Sequence, residues 1–249
     1  DIKSFNNTNV IGDFNNDGIV DVYDLLYFGT AYGHTGSPRP NASSAPYYQP
    51  AQDWNVAFPN GTNLKHADAD GNGIVDSLDI DVILANYLES PAGSAAWFET
   101  PSEGSFIRTK TIRNPFESAD TILEVCFYID SSFQGDIYGL AWEFVYSDEL
   151  GLYKDAKIEF SNSVFGDGGE QFSHIFYDEG EKQKIAIGIT QIDMENSKMV
   201  GPVCVFSAVI VAENLPTGDG VVSTAEIESG AISTAGGEVT PLLLSLIHI

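Results

Sequence analysis

Two stretches of the chain place oxygen-bearing side chains at the spacing by which a loop wraps a divalent cation. The first is Asp13-Phe-Asn15-Asn-Asp17-Gly18-Ile19-Val20-Asp21-Val-Tyr-Asp24, and the second is Asp68-Ala-Asp70-Gly-Asn72-Gly73-Ile74-Val75-Asp76-Ser-Leu-Asp79. Asp13, Asn15, Asp17, Asp21 and Asp24, like Asp68, Asp70, Asn72, Asp76 and Asp79, fall at loop positions 1, 3, 5, 9 and 12. Ile19 and Ile74 offer their backbone carbonyls at position 7, and a glycine at position 6 permits the sharp bend. Each loop gathers four carboxylates. At ~4 Å and an effective dielectric of ~20, each like-charged pair repels by ~4 kcal/mol unless a cation lies between. Both loops are expected to hold Ca2+. Valine at position 8 in both copies suits a short bridge between paired loops.

These loops need elements to hold them. A helix is expected after each one, from Val22 to about Tyr32, where Gly33 stops it, and from Ser77 to about Glu89. No convincing helix precedes either loop, and position 12 is Asp, not the longer Glu of an EF-hand. Loop then helix, twice, opening Gly-Asp-Phe-Asn-Asn-Asp-Gly, resembles a dockerin, the small calcium-dependent module that plugs into cohesin domains. The resemblance covers about residues 10–90. One departure is that the copies start 55 positions apart, because residues 33–67 intervene. The resemblance implies partner choice at loop positions 10 and 11, here Val22-Tyr23 and Ser77-Leu78. These pairs differ, which argues against two equivalent binding faces. Tyr23, Tyr27 and Leu78 are the residues expected to face a partner.

The intervening segment is rich in Pro, Ser, Gly and Asn but carries Tyr47, Tyr48, Trp54 and Phe58. Aromatics at that density predict an ordered excursion with Trp54 and Phe58 packed on the two helices. Its end leads straight into the second loop and resembles dockerin-like modules of secreted proteins from Bacteroidetes-type bacteria. Residues 91–104 read as a linker, dividing a module at 1–90 from a second domain at 105–249. That second domain shows short runs with period-two alternation: 121–129, 138–146, 156–160, 174–177, 184–190, 203–211, 221–228 and 242–249. Many short strands without helical runs predict an antiparallel β-sandwich. The expected class is therefore α+β multidomain, a small all-α module plus a sandwich. Asp136-Ile-Tyr-Gly139-Leu-Ala-Trp-Glu-Phe-Val-Tyr146-Ser-Asp-Glu-Leu150 and Val200-Gly-Pro-Val-Cys-Val-Phe-Ser-Ala-Val-Ile-Val resemble strands of a cohesin, which implies a cohesin-like jelly roll. The closing run 242–249 is expected to be the last strand, or else a strand offered to a neighbour.

The bulk numbers exclude several function classes. A net charge of −25 with only 11 Lys and Arg disfavours nucleic acid and anionic membranes as partners. No stretch reaches the ~18 apolar residues of a membrane span. The chain opens at Asp1 with no signal-peptide pattern and is expected to be a processed or trimmed form. Calcium sites of this kind in a non-sensor protein suit the outside of a bacterial cell. Cys126 and Cys204 sit in apolar strand-like runs, as two buried thiols or as a disulfide between strands. Asp120-Thr121-Ile122 matches an O-glycosylation pattern of that bacterial group, which makes Thr121 a candidate glycan site.

Catalytic signatures are missing. There is no Gly-x-Ser-x-Gly, His-Glu-x-x-His or Gly-x-x-x-x-Gly-Lys, and the four histidines are scattered. Trp54, Trp97 and Trp142 could stack on sugars, but Trp142 alternates inward with Phe144 and reads as core. The chain is therefore not expected to be an enzyme. A plug and a socket on one chain are expected to meet head to tail between copies, giving an extracellular, calcium-stabilised filament or surface layer. Two other readings stand beside it. One is an anchoring, glycan-binding or partner-binding module of a larger secreted protein. The other makes the loops purely structural, with the dockerin-like part packed on its own sandwich. Partners are then copies of the chain or another cohesin- or dockerin-bearing surface protein.

Overall fold

Helix α1 (Asp24–Ala31) starts on the closing residue of the first loop, and α2 (Ser77–Asn86) starts two residues before the closing residue Asp79 of the second. The computed structural model describes residues 10–45, 49–87, 107–113, 121–129, 136–146, 157–160, 171–178, 183–193, 197–198, 203–212, 224–241 and 246–248. Both helices are shorter than the sequence predicts. Tyr32 and Tyr87 leave helical geometry with ψ of 134° and 132°, and Gly33 takes a φ of 79°. A short 3-10 turn, Leu64–His66, leads into the second loop.

The two helices differ in exposure. Every residue of α1 is buried, as expected of a helix covered on all sides. α2 buries Asp79, Ile80, Val82, Ile83 and Asn86 and leaves Ser77, Leu78, Asp81 and Ala85 to solvent. The excursion between the motifs is ordered where described. Phe58 sets its ring edge-on against Tyr27 of α1, centroids 5.1 Å apart. Trp54 is buried but seals a different surface. Its ring lies over Gly36, and its indole N–H donates to the Ser37 carbonyl at 3.2 Å. Tyr47, Tyr48, Trp97 and the linker 91–104 lie outside the described residues.

The rest is antiparallel β-structure. One sheet runs in the order β1 (Ile107–Arg113), β2 (Thr121–Ile129), β9 (Val203–Ala212), β5 (Lys157–Phe160). The second runs β11 (Val239–Pro241), β10 (Thr224–Ser233), β4 (Gly139–Tyr146), β7 (Gln183–Gln191), β6 (Gln171–Asp178), with β12 (Leu246–His248) also on β10. A two-residue pair joins β3 (Asp136–Ile137) to β8 (Ser197–Lys198). These sheets are the β layers of a sandwich, and the helical module adds a third layer. The sequence reading misses β1, whose Arg108, Lys110 and Arg113 break the apolar pattern; such charge is normal on an edge strand. The closing run pairs within its own chain, Thr224 opposite His248, so β12 is not offered to a neighbour. Cys126 stands opposite Ser207 and Cys204 opposite Tyr128 on the neighbouring strands β2 and β9.

The centre of the six-stranded sheet is covered on both faces. Leu140, Trp142, Ile187 and Ile189 are buried on one side, which agrees with an inward Trp142. Gly139, Ala141, Ala186, Gly188 and Thr190 alternate with them and form the other side, which meets α1.

Candidate metal centres

The two loops are built by the same hydrogen bonds. Asp24 Oδ1 accepts the N–H groups of Phe14 and Asn15 at 2.7 and 3.2 Å, and its Oδ2 accepts that of Asp21 at 2.8 Å. Asp79 repeats this with Asp70 at 3.0 Å and Asp76 at 2.8 Å. The residue at position 12 thus ties the loop's start and end to the helix that follows. Asp13 accepts from Asp17 and Gly18 at 3.0 and 2.9 Å, and Asp68 accepts from Gly73 at 3.1 Å. Short Asx turns fix the middle, with Asn15 and Asp17 holding the amides of Asp17 and Ile19, and Asp70 and Asn72 holding those of Asn72 and Ile74. Gly18 and Gly73 at position 6 have φ of 98° and 92°, where a Cβ would be strained.

The donor types in both loops suit calcium, and among the described residues it is the second loop that draws three carboxylates together. All candidate ligands are hard oxygens. Asp68, Asp70 and Asp79 bring carboxylate oxygens within 4.8 Å of one another, and the buried Asp68 Oδ1 has no hydrogen-bond partner. A cation would satisfy that oxygen and neutralise the cluster. Asp13, Asn15, Asp17, Asp21 and Asp24 with the Ile19 carbonyl, and Asp68, Asp70, Asn72, Asp76 and Asp79 with the Ile74 carbonyl, are the groups that would hold the two ions. Burial raises the pKa of Asp13 to about 7, with Asp17 adding repulsion. Burial likewise lifts Asp79 to about 7 and Asp68 to about 6, and holds Asp21 and Asp24 well above the ordinary range. Without a counter-charge, burial disfavours the ionised form of these carboxyls.

The bridge through Val75 forms, but not with Val20. Its N–H donates to His34 O at 2.9 Å and its carbonyl accepts from Gly33 at 2.8 Å, so the second loop pairs with the stretch that leaves α1. Val20 is instead fully buried core.

Helix α1 lies on β7, β4 and β10 of the same chain. The sheet is paved there with small residues, and the approach is close. A Cβ at Gly188 would lie 2.5 Å from Leu25 Cδ1, and one at Gly139 would lie 2.9 Å from Leu26 Cδ2. On the helix, a Cβ at Gly29 would lie 1.9 Å from Thr190 Oγ1. The Tyr138 hydroxyl donates to the Gly29 carbonyl at 3.3 Å. Ala141, Ala186 and Ala231 share one apolar core with Val22, Leu25, Leu26 and Phe28. Burying such side chains contributes ~1.5–3 kcal/mol each.

This placement corrects two of the partner-facing expectations. Tyr23 and Tyr27 are 1% and 9% exposed, enclosed within this chain and not presented to another. Leu78 is 53% exposed. Thr121 opens β2 opposite Ala212. Several residues that the sequence reading passed over also matter. Arg39 is buried beside the second loop and donates to the carbonyls of Asp68 (2.9 Å) and Ala69. Lys65, its side chain buried, meets Asp53 at 2.6 Å. Burial holds His66 neutral, its pKa lowered to about 4. The alternation of small residues on β4 and β7 against Leu, Trp and Ile was the readable sign of a helix seat.

No protein-family model and no curated protein matches the chain. Among solved structures it is similar to a cohesin module from a family 33 glycoside hydrolase of Clostridium perfringens, at 11% identity and a TM-score of 0.36, covering 59% of this chain and 96% of that one. It is similar also to the sixth cohesin of scaffoldin B from Acetivibrio cellulolyticus, solved in complex with a Cel5 dockerin mutant, at 10% identity, TM-score 0.39 and the same coverages of 59% and 96%. A third similarity, at 14% identity and TM-score 0.25, is to endoglucanase CelQ from Clostridium thermocellum, solved with cellobiose and cellotriose; this one covers 80% of the chain and 33% of CelQ. All three similarities are distant.

Proposed function

We propose that this chain is a non-enzymatic, calcium-stabilised interaction module of an extracellular bacterial surface protein, in which a dockerin-like unit is seated on its own cohesin-like sandwich. One observation carries the reading: α1 is buried on the small-residue face of the six-stranded sheet in its own chain. Calcium in the two loops holds the helices, and the helices hold the seat. The unit acts as an anchor or partner-binding block of a larger secreted protein, with a surface protein or a glycan as the ligand class.

A second reading retains head-to-tail assembly. The helix and its seat lie on opposite sides of one connecting stretch, residues 88–106, so the same contact can form between copies without any new surface. Exchange of that kind builds a filament. Light scattering over a concentration series, in millimolar calcium and after EDTA, separates the two. A monomer at every concentration supports the closed module. Particles that grow with concentration and dissolve on chelation support the filament and displace the first reading.

A further inference from the structure

The excursion between the two motifs opens with a strap, residues 33–39, that runs antiparallel beside the second loop. The N–H groups of Gly33, Gly36 and Arg39 donate to the carbonyls of Val75, Gly73 and Gly71 at 2.8, 2.9 and 2.9 Å. Thr35 pairs with Ile74, the residue that offers the position-7 carbonyl. The contact is close: a Cβ at Gly73 would lie 2.8 Å from the Gly36 carbonyl oxygen, and one at Gly71 would lie 2.7 Å from Arg39 Nε. Arg39, 5% exposed, closes the strap on the loop. Its Nη1 donates to the Asp68 carbonyl at 2.9 Å and its Nη2 to the Ala69 carbonyl, which fixes the backbone that carries Asp68 and Asp70. The Asp68 side chain is fully enclosed; Oδ2 accepts from Gly73, while Oδ1 has no hydrogen-bond partner among the described residues. One of its oxygens lies within 4.8 Å of oxygens from Asp70 and Asp79. Trp54 backs the strap from the other side, its indole N–H on the Ser37 carbonyl and its ring where a Cβ at Gly36 would come within 2.1 Å of Cδ2.

We propose that the strap, through Arg39, positions the second calcium site: the guanidinium fork holds the start of the loop in its ion-binding shape and leaves the Asp68 carboxylate to the cation. This inference rests on reading the second loop as a calcium site. Arg39 acts on a cation in two ways of opposite sign. As a charge it repels calcium, and its removal would tighten binding. As a fork it orders the loop in advance, and its removal leaves that ordering to be driven by the ion. Both Nη groups end on backbone carbonyls, where the carbonyl dipoles offset their charge and the ligand oxygens stay free, so positioning outweighs repulsion. Lysine keeps the charge but lacks the planar pair of donors, so it cannot replace the fork. The linkage is reciprocal: calcium in the second loop steadies the strap as far as Trp54, and a steadied strap favours calcium.

The test is a calcium titration of the full, isotope-labelled chain followed by amide NMR. It reads the two loops separately through the Gly18 and Gly73 amides, which donate to Asp13 and Asp68. Arg39→Gln is expected to weaken calcium at the second loop by about 10–100-fold. The first loop stays within about twofold of wild type. Arg39→Lys weakens the second loop nearly as much. Gly36→Ala, which removes no ligand and drives Trp54 from the strap, weakens the same loop to a lesser degree, and it decides the matter where the Arg39 variants do not fold. Arg39→Gln binding calcium as tightly as wild type or more tightly at the second loop shows that Arg39 acts only as a charge and overturns the inference. So does wild-type affinity in Arg39→Lys or Gly36→Ala, or equal weakening at both loops, which marks a general loss of stability. Each of these outcomes leaves the calcium reading intact. A folded wild-type chain whose Gly73 amide does not respond to calcium overturns that reading and the inference with it.

Discussion

Gly29→Ala tests the helix seat by the sign of its effect. In a helix open to solvent, this change stabilises by about 1 kcal/mol, because alanine has less backbone freedom to lose. Here the new Cβ would lie 1.9 Å from Thr190 Oγ1 and 2.6 Å from the Gln191 carbonyl oxygen. The threonine can turn away, but the carbonyl belongs to β7, whose Gln191 N–H is held by Tyr138 O at 2.9 Å. The helix must therefore retreat by on the order of 1 Å in an interior packed as densely as an organic crystal. Overpacking of this kind costs ~1–3 kcal/mol and loosens Leu25 and Leu26 as well. We expect a net destabilisation of about 1–2 kcal/mol in urea unfolding with saturating calcium. Adding Thr190→Ala should recover only the part due to the side chain, because the Gln191 carbonyl remains. A Gly29→Ala protein that is more stable than wild type would refute the seat.

Other predictions concern the loops and the two helix faces. Asp13→Ala with Asp68→Ala should abolish calcium binding and remove the calcium-dependent rise in melting temperature; at a hundred times the dissociation constant that rise corresponds to ~2.7 kcal/mol per site. Retention of the rise in the double variant would contradict the ligand assignment. The pH dependence of the metal-free form has a definite sign. Asp13 and Asp79 rise from 3.8 to about 7 and Asp68 to about 6, so the folded state binds protons more tightly than the unfolded one. Metal-free stability should fall as pH climbs from about 4 to about 7, and calcium's stabilising effect should grow over the same window. Melting curves in EDTA that stay flat or rise across that range would count against it. Leu25→Ala should cost ~2–5 kcal/mol, whereas Leu78→Ala should stay within ~0.5 kcal/mol. Comparable losses, measured by denaturant unfolding, would contradict the burial of α1 alone.

The sequence by itself determined the local chemistry. Oxygen donors at 1, 3, 5, 9 and 12 with glycine at 6 specify a loop whose hydrogen bonds are short-range, and the structure draws those bonds in both copies. Period-two runs such as 121–129 and 203–211 marked strands because alternation needs no knowledge of the partner strand. Even the unequal helices had a sequence trace: Ser77 and Asp81 stand where the first motif has Val22 and Leu26, so only α1 is apolar enough to be enclosed on every side. What covers α1 could not be read that way. Its seat joins residues more than a hundred positions away, and small side chains such as Gly139, Ala141 and Gly188 advertise only that something comes close. The Arg39 charge beside the second loop was equally hidden. It lies outside the loop in sequence, and only the fold brings a guanidinium from the excursion to the carbonyls of Asp68 and Ala69. Spacing along the chain sets what a loop can bind; the path of the chain through space sets which charges surround it.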